Sequence, residues 1–322
     1  MTRVIAIFLA FALSAFSTLG GITPNDAFND GIDRTDPNFI KASLLVMSPG
    51  DELWSCAGHS MLRLECPKFN LDYCFSYESE SVKEKLLSFF AGKLRMGMFA
   101  IPTQQGLKDF EKDGRSVVQY RLNLPPEVKQ RLWKILDEKV AEGPNLPYDY
   151  LKRGCSQSLL AILQEALWPL KMEIPEEFEV YNQTRRDSMD KAVIDFPWNR
   201  FFLHIICGSE MDWELPKAET IVIPNDLRVF LQKSRVNGKP VMETEGKVLL
   251  PLKRHYEANV VTPSKISWGL VVLAAISIFF VKSQWLDWFF LALQSFIAVP
   301  LTYLVFFTSR QFINSCSASV EA

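Results

Sequence analysis

Residues 148–163 read YDYLKRGCSQSLLAIL, and this stretch decides the fold because it predicts an amphipathic helix with a cysteine in its first turn. Gly154 interrupts the chain before that cysteine, and Ser156 or Cys155 itself has a side chain that suits a helix cap. The apolar residues that follow recur at helical spacing: Leu159, Leu160, Ile162, Leu163, Ala166 and Leu167. The sequence therefore predicts a helix that starts at about Cys155 and buries its leucine face.

Cys155 takes the position in this helix where a thiolate is most stable. The first turn presents unpaired N–H groups and the positive end of the helix dipole, and thiols so placed have pKa values of roughly 3.5 to 7.5. Such a thiol attacks at neutral pH. The alternative is that Cys155 is a small buried hydrophobic residue, and a partner base elsewhere in the chain decides between the two interpretations.

His59 is the candidate base among the three histidines of the chain. It follows Gly58 and opens a predicted half-buried strand that runs to Cys66, so its ring can face outward from a fixed sheet. His204 lies in the apolar run RFFLHIICG, which favours a satisfied core histidine, and His255 follows two basic residues. Only His59 is placed for catalysis.

The other cysteines offer one rival nucleophile. Cys56 lies three residues before His59, whereas Cys66 and Cys74 flank a predicted hairpin and are too far apart in sequence for a zinc knuckle. We expect no metal and no cofactor. In an oxidising compartment such thiols pair, but the sequence assigns no pairing.

The elements around this stretch mix strands and helices without a repeating order. Strands are predicted at Ile40–Met47, from Ser60, from Leu71 and at Arg115–Leu124, with a hairpin turn at PKFN, and a helix at Pro125–Val140. We therefore expect an α+β domain over residues 40–262.

The two ends of the chain differ from this domain. Residues 1–21 have one arginine, a short apolar core and small residues, which is typical of a secretory signal peptide, and residues 22–39 form a polar lead-in. Residues 266–281 and 285–308 are almost wholly apolar and predict a C-terminal transmembrane helical hairpin, followed by a tail at 309–322. A signal peptide would export the domain across the membrane to which the hairpin anchors it.

The charge of the chain excludes one class of partner. The net charge is −2 and charged residues make up 22% of the sequence, so no basic surface for nucleic acid is expected. A membrane is the expected partner instead.

Several blocks resemble a known family. Histidine precedes cysteine by 155 − 59 = 96 residues, an order similar to that of the circularly permuted papain-like (NlpC/P60-type) fold. SPGDELWSCAGHSMLRL, LDYCFSYE, FFAGKLRMGMF, YDYLKRGCSQ and CGSEMDWELPKAETIVIPNDLRVFL resemble, in the same order, blocks of the DUF4105 family, which includes the Lnb-type lipoprotein N-acyltransferases. Where that family commonly has Asn-Cys-Thr-Thr, this chain has Gly154, Cys155, Ser156 and Gln157.

The resemblance implies an acyl transfer on the periplasmic face of a bacterial inner membrane. Cys155 would attack an acyl ester of a phospholipid with His59 as general base, and the resulting thioester would acylate the α-amino group of a diacylglyceryl-cysteine lipoprotein. A papain-like fold would supply the residue that orients His59 from the following hairpin, where Asp72 and Ser76 are the candidates. Asp72 is equally interpretable as a solvated turn residue.

Two other functions remain open from the sequence. The same Cys155 and His59 pair would serve a cysteine amidase or endopeptidase acting on cell-wall peptide. A non-catalytic membrane-anchored periplasmic scaffold is the third hypothesis, which Gly154 at the nucleophile block keeps open.

Overall fold

The computed structural model describes residues 33–81, 84–85, 88, 93–147, 154–178, 184–207, 211–212, 214–215, 221–254, 260–280 and 284–303. The strands are β1 Lys41–Met47, β2 His59–Cys66, β3 Leu71–Ser79, β4 Arg95–Pro102, β5 Val117–Arg121, β6 Leu146–Pro147, β7 Arg235–Val236, β8 Lys239–Pro240 and β9 Lys247–Leu250. The helices are α1 Thr103–Lys112, α2 Pro126–Glu142, α3 Cys155–Leu167, α4 Arg185–Ala192, α5 Pro197–Cys207, α6 Pro224–Lys233, α7 Pro263–Phe280 and α8 Gln284–Tyr303. The predicted α+β class is confirmed, since the elements follow no repeating strand-helix-strand order.

One antiparallel sheet organises the domain. Its strand order is β6-β4-β3-β2-β1-β5-β9. Strand β1 pairs with β2, β2 with β3 and β3 with β4, and β1 also pairs with β5, so β1 and β2 lie near the centre of the sheet. The register places Met47, the last residue of β1, opposite His59, the first residue of β2.

Helices cover both faces of the central strands. Helices α2, α3 and α6 pack on one face, where Ala42 and Leu44 of β1 enter the larger core cluster. Helix α1 covers part of the other face, against a smaller cluster that includes Leu45 and Met47. Burial on both faces explains why the sequence of β1 is a continuous apolar run instead of an alternating one.

Helix α3 begins at Cys155, as the periodicity predicted. Gly154 is the N-cap, in an extended conformation (φ −71°, ψ 163°), and no side chain caps the first turn, so the predicted cap by Ser156 or Cys155 is absent. Leu159 and Leu163 are 0% exposed and face the sheet and the neighbouring helices α2 and α6. The buried leucine face thus fixes where the first turn of α3 meets the sheet.

The predicted transmembrane hairpin is wrong: within the described ranges, no helix is long and apolar enough to cross a membrane. Helix α7 has 18 residues, which at 1.5 Å each span about 27 Å, and it opens with Pro263, Ser264 and Lys265. Helix α8 has 20 residues and carries Asp287 in its first turn. The signal peptide at 1–21, most of the lead-in, the end of the second predicted span at 304–308 and the tail at 309–322 lie outside the described residues.

Replacing one leucine of α3 tests the packing that holds this helix. Leu163→Ala should lower the free energy of unfolding by about 2–5 kcal/mol, because it removes a fully buried side chain and leaves a cavity between α3 and the sheet. Urea denaturation followed by circular dichroism measures the change. Gln164→Ala, on the exposed side of the same turn, is the matched control and should stay within about 0.5 kcal/mol. Equal effects of the two substitutions would contradict this packing.

Candidate active site

The nucleophile candidate, Cys155, lies at the uncapped N-terminus of α3. Helix hydrogen bonding starts with the N–H of Ser158, which donates to the carbonyl of Gly154, so the N–H groups of the preceding residues point out of the helix start. The side chain of Cys155 is half-buried. A thiolate at this position faces the positive end of the helix dipole.

His59 reaches Cys155 from the first residue of β2. Gly58 precedes it with φ +86°, and a Cβ added there would lie 2.8 Å from the carbonyl oxygen of Met47, so only glycine fits this turn into the strand. The side chain of His59 is 18% exposed and hydrogen-bonds to the Cys155 sulfur. The structure therefore brings together the two residues that the sequence predicted as a pair.

A separation of two strands makes room for this pair. The ladder between β2 and β3 ends at Leu62 opposite Phe75, although β2 begins three residues earlier, at His59. Beyond that point β3 continues to pair with β4 as far as Ser79. The start of β2 is thereby released from β3, and the first turn of α3 meets it there.

Two side chains of β3 hold the imidazole from the other side. Nε2 of His59 lies 2.6 Å from Oγ of Ser76, and the Ser76 hydroxyl donates to Oε1 of Glu78 at 2.5 Å. Oε1 of Glu78 also lies 3.4 Å from Nε2 of His59. With Nε2 engaged by Ser76, Nδ1 is the ring nitrogen left for the sulfur.

The charged forms of Cys155, His59 and Glu78 stabilise one another. Burial alone would raise the pKa of the Cys155 thiol, but the charge of His59 and hydrogen bonds from His59 and Ser60 lower it to about 6. Burial alone would lower the pKa of His59, whereas its interactions with Cys155 and Glu78 raise it to about 10. The pKa of Glu78 is lowered despite its burial, because His59 and Ser76 hydrogen-bond to its carboxylate. At neutral pH the pair is a thiolate beside an imidazolium.

Asp72, the other predicted orienting residue, lies elsewhere. Its two carboxylate oxygens each accept a hydrogen bond from Arg63 at 2.8 Å, and Thr103 Oγ1 donates to Oδ1 at 2.6 Å. It sits opposite Glu65, six residues along β2 from His59, which is about 20 Å at 3.3 Å per residue. The structure thus joins Ser76 to His59 and leaves Asp72 in a separate network.

Glu78 is the residue that sequence reasoning missed. It lies two positions from Ser76, so both side chains point to the same side of β3. The alternation of side chains along a strand was the sequence signal that could have identified Glu78. Ser60, which follows His59 and is completely buried against the sulfur, was missed as well.

The remaining thiols and histidines do not share these features. Burial raises the pKa of Cys56 to about 11, and its Sγ donates to the carbonyl of Leu53 at 3.0 Å, so the rival nucleophile is a protonated buried thiol. His204 pairs with Asp190 at 2.6 Å on α4 and is satisfied there. His255 lies outside the described residues. Cys56, Cys66, Cys74, Cys155 and Cys207 are all free thiols.

The family comparison places this site within a known domain. Residues 27–182 match the family described as the Lnb N-terminal periplasmic domain. His59, Ser76, Glu78 and Cys155 all lie inside the match, so the chain is similar to that periplasmic domain over the part that holds the site, which is consistent with the resemblance to an Lnb-type family. No curated protein and no solved structure matches the chain. The DUF4105 assignment and the circularly permuted papain-like fold are therefore not confirmed.

The site is built from a thiol, an imidazole, a hydroxyl and a carboxylate. Within the ranges that the structure describes, no group of three or more His, Cys, Asp or Glu side chains converges as a metal site would require. The arrangement suits nucleophilic attack on a carbonyl carbon with proton transfer by His59.

The pH dependence of alkylation tests the thiolate. The rate of Cys155 alkylation by iodoacetamide should rise with pH through about 6, because the thiolate reacts and the thiol does not. His59→Ala removes the counter-charge, so the thiol pKa should return to 9.0 or above and the rate at pH 7 should fall roughly 100-fold. His204→Ala is the control and should keep the wild-type profile. An unchanged profile in His59→Ala would remove His59 from the pair.

The titration of His59 tests the role of Glu78. Glu78→Gln keeps the shape of the side chain but removes its charge, so the pKa of His59 should fall by roughly 1–2 units. The ring proton signals of His59, followed by NMR against pH, measure it directly. Glu80→Gln, an acid of the next turn that pairs with Lys85, is the matched control and should leave His59 unchanged. Equal titration of His59 in wild type and Glu78→Gln would contradict the contact.

Proposed function

We propose that this chain is a periplasmic thiol acyltransferase, which moves an acyl chain from a phospholipid to the N-terminal diacylglyceryl-cysteine of lipoproteins. The observation that carries the proposal is the Cys155 and His59 pair at the start of α3 and β2, with its thiol pKa of about 6. A thiolate that is already present in the resting enzyme is the nucleophile that a covalent acyl transfer requires.

The first half-reaction loads the enzyme. The Cys155 thiolate attacks the carbonyl carbon of the acyl ester, a C–S bond forms, and the carbonyl electron pair moves to oxygen. When the intermediate collapses, the C–O bond to the glycerol breaks and the leaving alkoxide takes the Nδ1 proton of the His59 imidazolium. The products are an acyl thioester on Cys155 and a neutral imidazole.

The second half-reaction transfers the acyl group from Cys155 to the acceptor. The α-amino group of the lipoprotein attacks the thioester, and neutral His59 takes the proton that the nitrogen must lose. The C–S bond then breaks and returns the sulfur as a thiolate beside an imidazolium. Ser76 and Glu78 keep the ring in one orientation through both steps, since they bind Nε2 throughout.

An exposed aromatic cluster on α5, a helix bonded to the loop before His59, favours a substrate with an acyl chain. Phe201 and Phe202 of α5 are 41% and 45% exposed and contact Trp198. The same helix is joined to the loop before His59, because Asn199 donates to the carbonyl of Asp51 at 2.8 Å. Contiguous exposed aromatic side chains are typical of surfaces that meet apolar ligands or lipid.

The choice of acceptor separates this function from its rival. A cysteine amidase would use the same attack but would pass the acyl group of a peptide to water. The match to the Lnb periplasmic domain supports the amine of a lipoprotein as the acceptor, in line with the resemblance to Lnb-type N-acyltransferases.

Trapping the loaded enzyme tests the mechanism. Incubation with phospholipid and no acceptor should leave one acyl group on Cys155, visible in the intact mass, because a thioester persists when no amine arrives. Hydroxylamine should release it, and a diacylated lipopeptide should discharge it as an N-acylated product. Cys155→Ser should show neither step, whereas Cys56→Ser should show both. Cleavage of a wall peptide without acyl transfer would decide for the amidase.

A further inference from the structure

Ser60 is a buried polar residue beside the reacting sulfur that the proposed steps do not use. It follows His59 on β2 and is 0% exposed. Among the described residues, no atom is a hydrogen-bond partner of its Oγ. The side chain and the N–H of Ser60 nevertheless both act on the Cys155 thiol, whose pKa they help to lower.

An unpaired buried hydroxyl is unfavourable, so its retention next to a nucleophile is informative. Most buried polar groups in folded proteins have a partner of ordinary geometry, and each exception requires an explanation, of which a catalytic role is one. A hydroxyl that lacks a protein acceptor is free to donate to an acceptor that forms only during a reaction.

From this placement we infer that Ser60 is a catalytic residue that holds the oxyanion of the tetrahedral intermediate formed at Cys155. The inference rests on the proposed acyl transfer, and it concerns the donor side of that chemistry. The hydroxyl of Ser60, which has no partner in the resting site, donates to the new oxyanion when the C–S bond forms. The N–H groups at the uncapped start of α3 are the second source of donors on the same carbonyl.

The movement of electrons during the attack shows at which stage Ser60 acts. As the sulfur attacks, the carbonyl π electrons move onto oxygen, and negative charge leaves the sulfur for an atom one bond beyond the attacked carbon. A donor close to the sulfur reaches that oxygen with a rotation about its own Cβ–Oγ bond. When the leaving group departs, the electrons return to the C=O bond and the Ser60 hydroxyl loses its acceptor. No proton is transferred from Ser60 at any stage.

Two reactions of the same thiolate distinguish this role from support of the sulfur alone. Alkylation by iodoacetamide displaces iodide and forms no oxyanion, whereas acylation by a p-nitrophenyl ester forms one. Both rates are measured on purified full-length protein above pH 8, where Cys155 is fully ionised and a change in its pKa has no effect. Wild type, Ser60→Ala and Ser43→Ala are compared, since Ser43 is 1% exposed on the neighbouring strand β1.

Ser60→Ala should acylate roughly 10²–10³-fold more slowly, as removal of one oxyanion donor does in other enzymes, and should alkylate within about threefold of wild type. Ser43→Ala should match wild type in both. Acylation of Ser60→Ala at the wild-type rate, or an equal fall in both reactions with an unchanged melting temperature, would overturn the inference. A wild-type protein that alkylates but never acylates would instead overturn the proposed function.

A second variant covers the case in which Ser60→Ala does not fold. Ser60→Thr keeps the hydroxyl donor and adds one methyl group, so it should retain acylation within about tenfold of wild type. If folded Ser60→Thr alkylated normally and yet lost acylation 10²-fold or more, the hydroxyl would not be the donor.

Discussion

The site depends on the electrostatic attraction between the Cys155 sulfur and the His59 ring, two groups that burial would each make neutral. Two unit charges about 4 Å apart attract by roughly 4 kcal/mol at the effective dielectric constant near a protein surface. That attraction competes with the free energy of removing both ions from water, so a pair without further partners is poorly stable. Here Ser60 helps to lower the pKa of the thiol, and Glu78, with Ser76, balances the charge of the ring. The ion pair therefore persists because each charge has a second partner.

The core determines where these charges meet. Cys155 and His59 lie 155 − 59 = 96 residues apart, and neither local segment fixes the other. Leu159 and Leu163 hold α3 against the sheet, and the turn at Gly58 aims the first residue of β2 toward the start of that helix. Because packed cores resist small displacements, the distance between sulfur and ring is set by apolar contacts that take no part in the chemistry.

Local sequence signals predicted helix α3 and the pair of Cys155 and His59, whereas the strand register determines which residues of β3 contact His59. The 3.6-residue period after Cys155 and the glycine before His59 are properties of short segments, so the sequence alone located both residues. Which residue of β3 meets His59 depends on the hairpin register: counting outward from the turn at Pro67–Phe69 puts Glu65 opposite Asp72 and His59 level with Glu78. Asp72 was named for its charge without that count. The separation of β2 from β3 beyond Leu62 is a tertiary feature with no sequence pattern, as is the orientation of Ser60. The apolar composition of the C-terminal segments also gave a wrong prediction. It predicted a transmembrane hairpin, although no described helix is long and apolar enough to cross a membrane.

The raised pKa of His59 constrains the order of proton transfers. The pKa of about 10 belongs to His59 beside the thiolate, and it falls when the sulfur is acylated because the charge of Cys155 is one of its causes. The imidazolium therefore gives its proton readily to an alkoxide, which is a far stronger base. In the second half-reaction the acceptor must be a neutral amine when it attacks, and α-amino groups have pKa values of about 7.7–8.0, so a large fraction is neutral at slightly alkaline pH. The nitrogen becomes strongly acidic only after it bonds to the acyl carbon, and His59, whose proton affinity Glu78 has increased, then removes that proton. The Ser76 and Glu78 contacts thus return the ring to its charged form at the moment the thiolate reappears, and the charge pair of the resting site is restored without help from solvent.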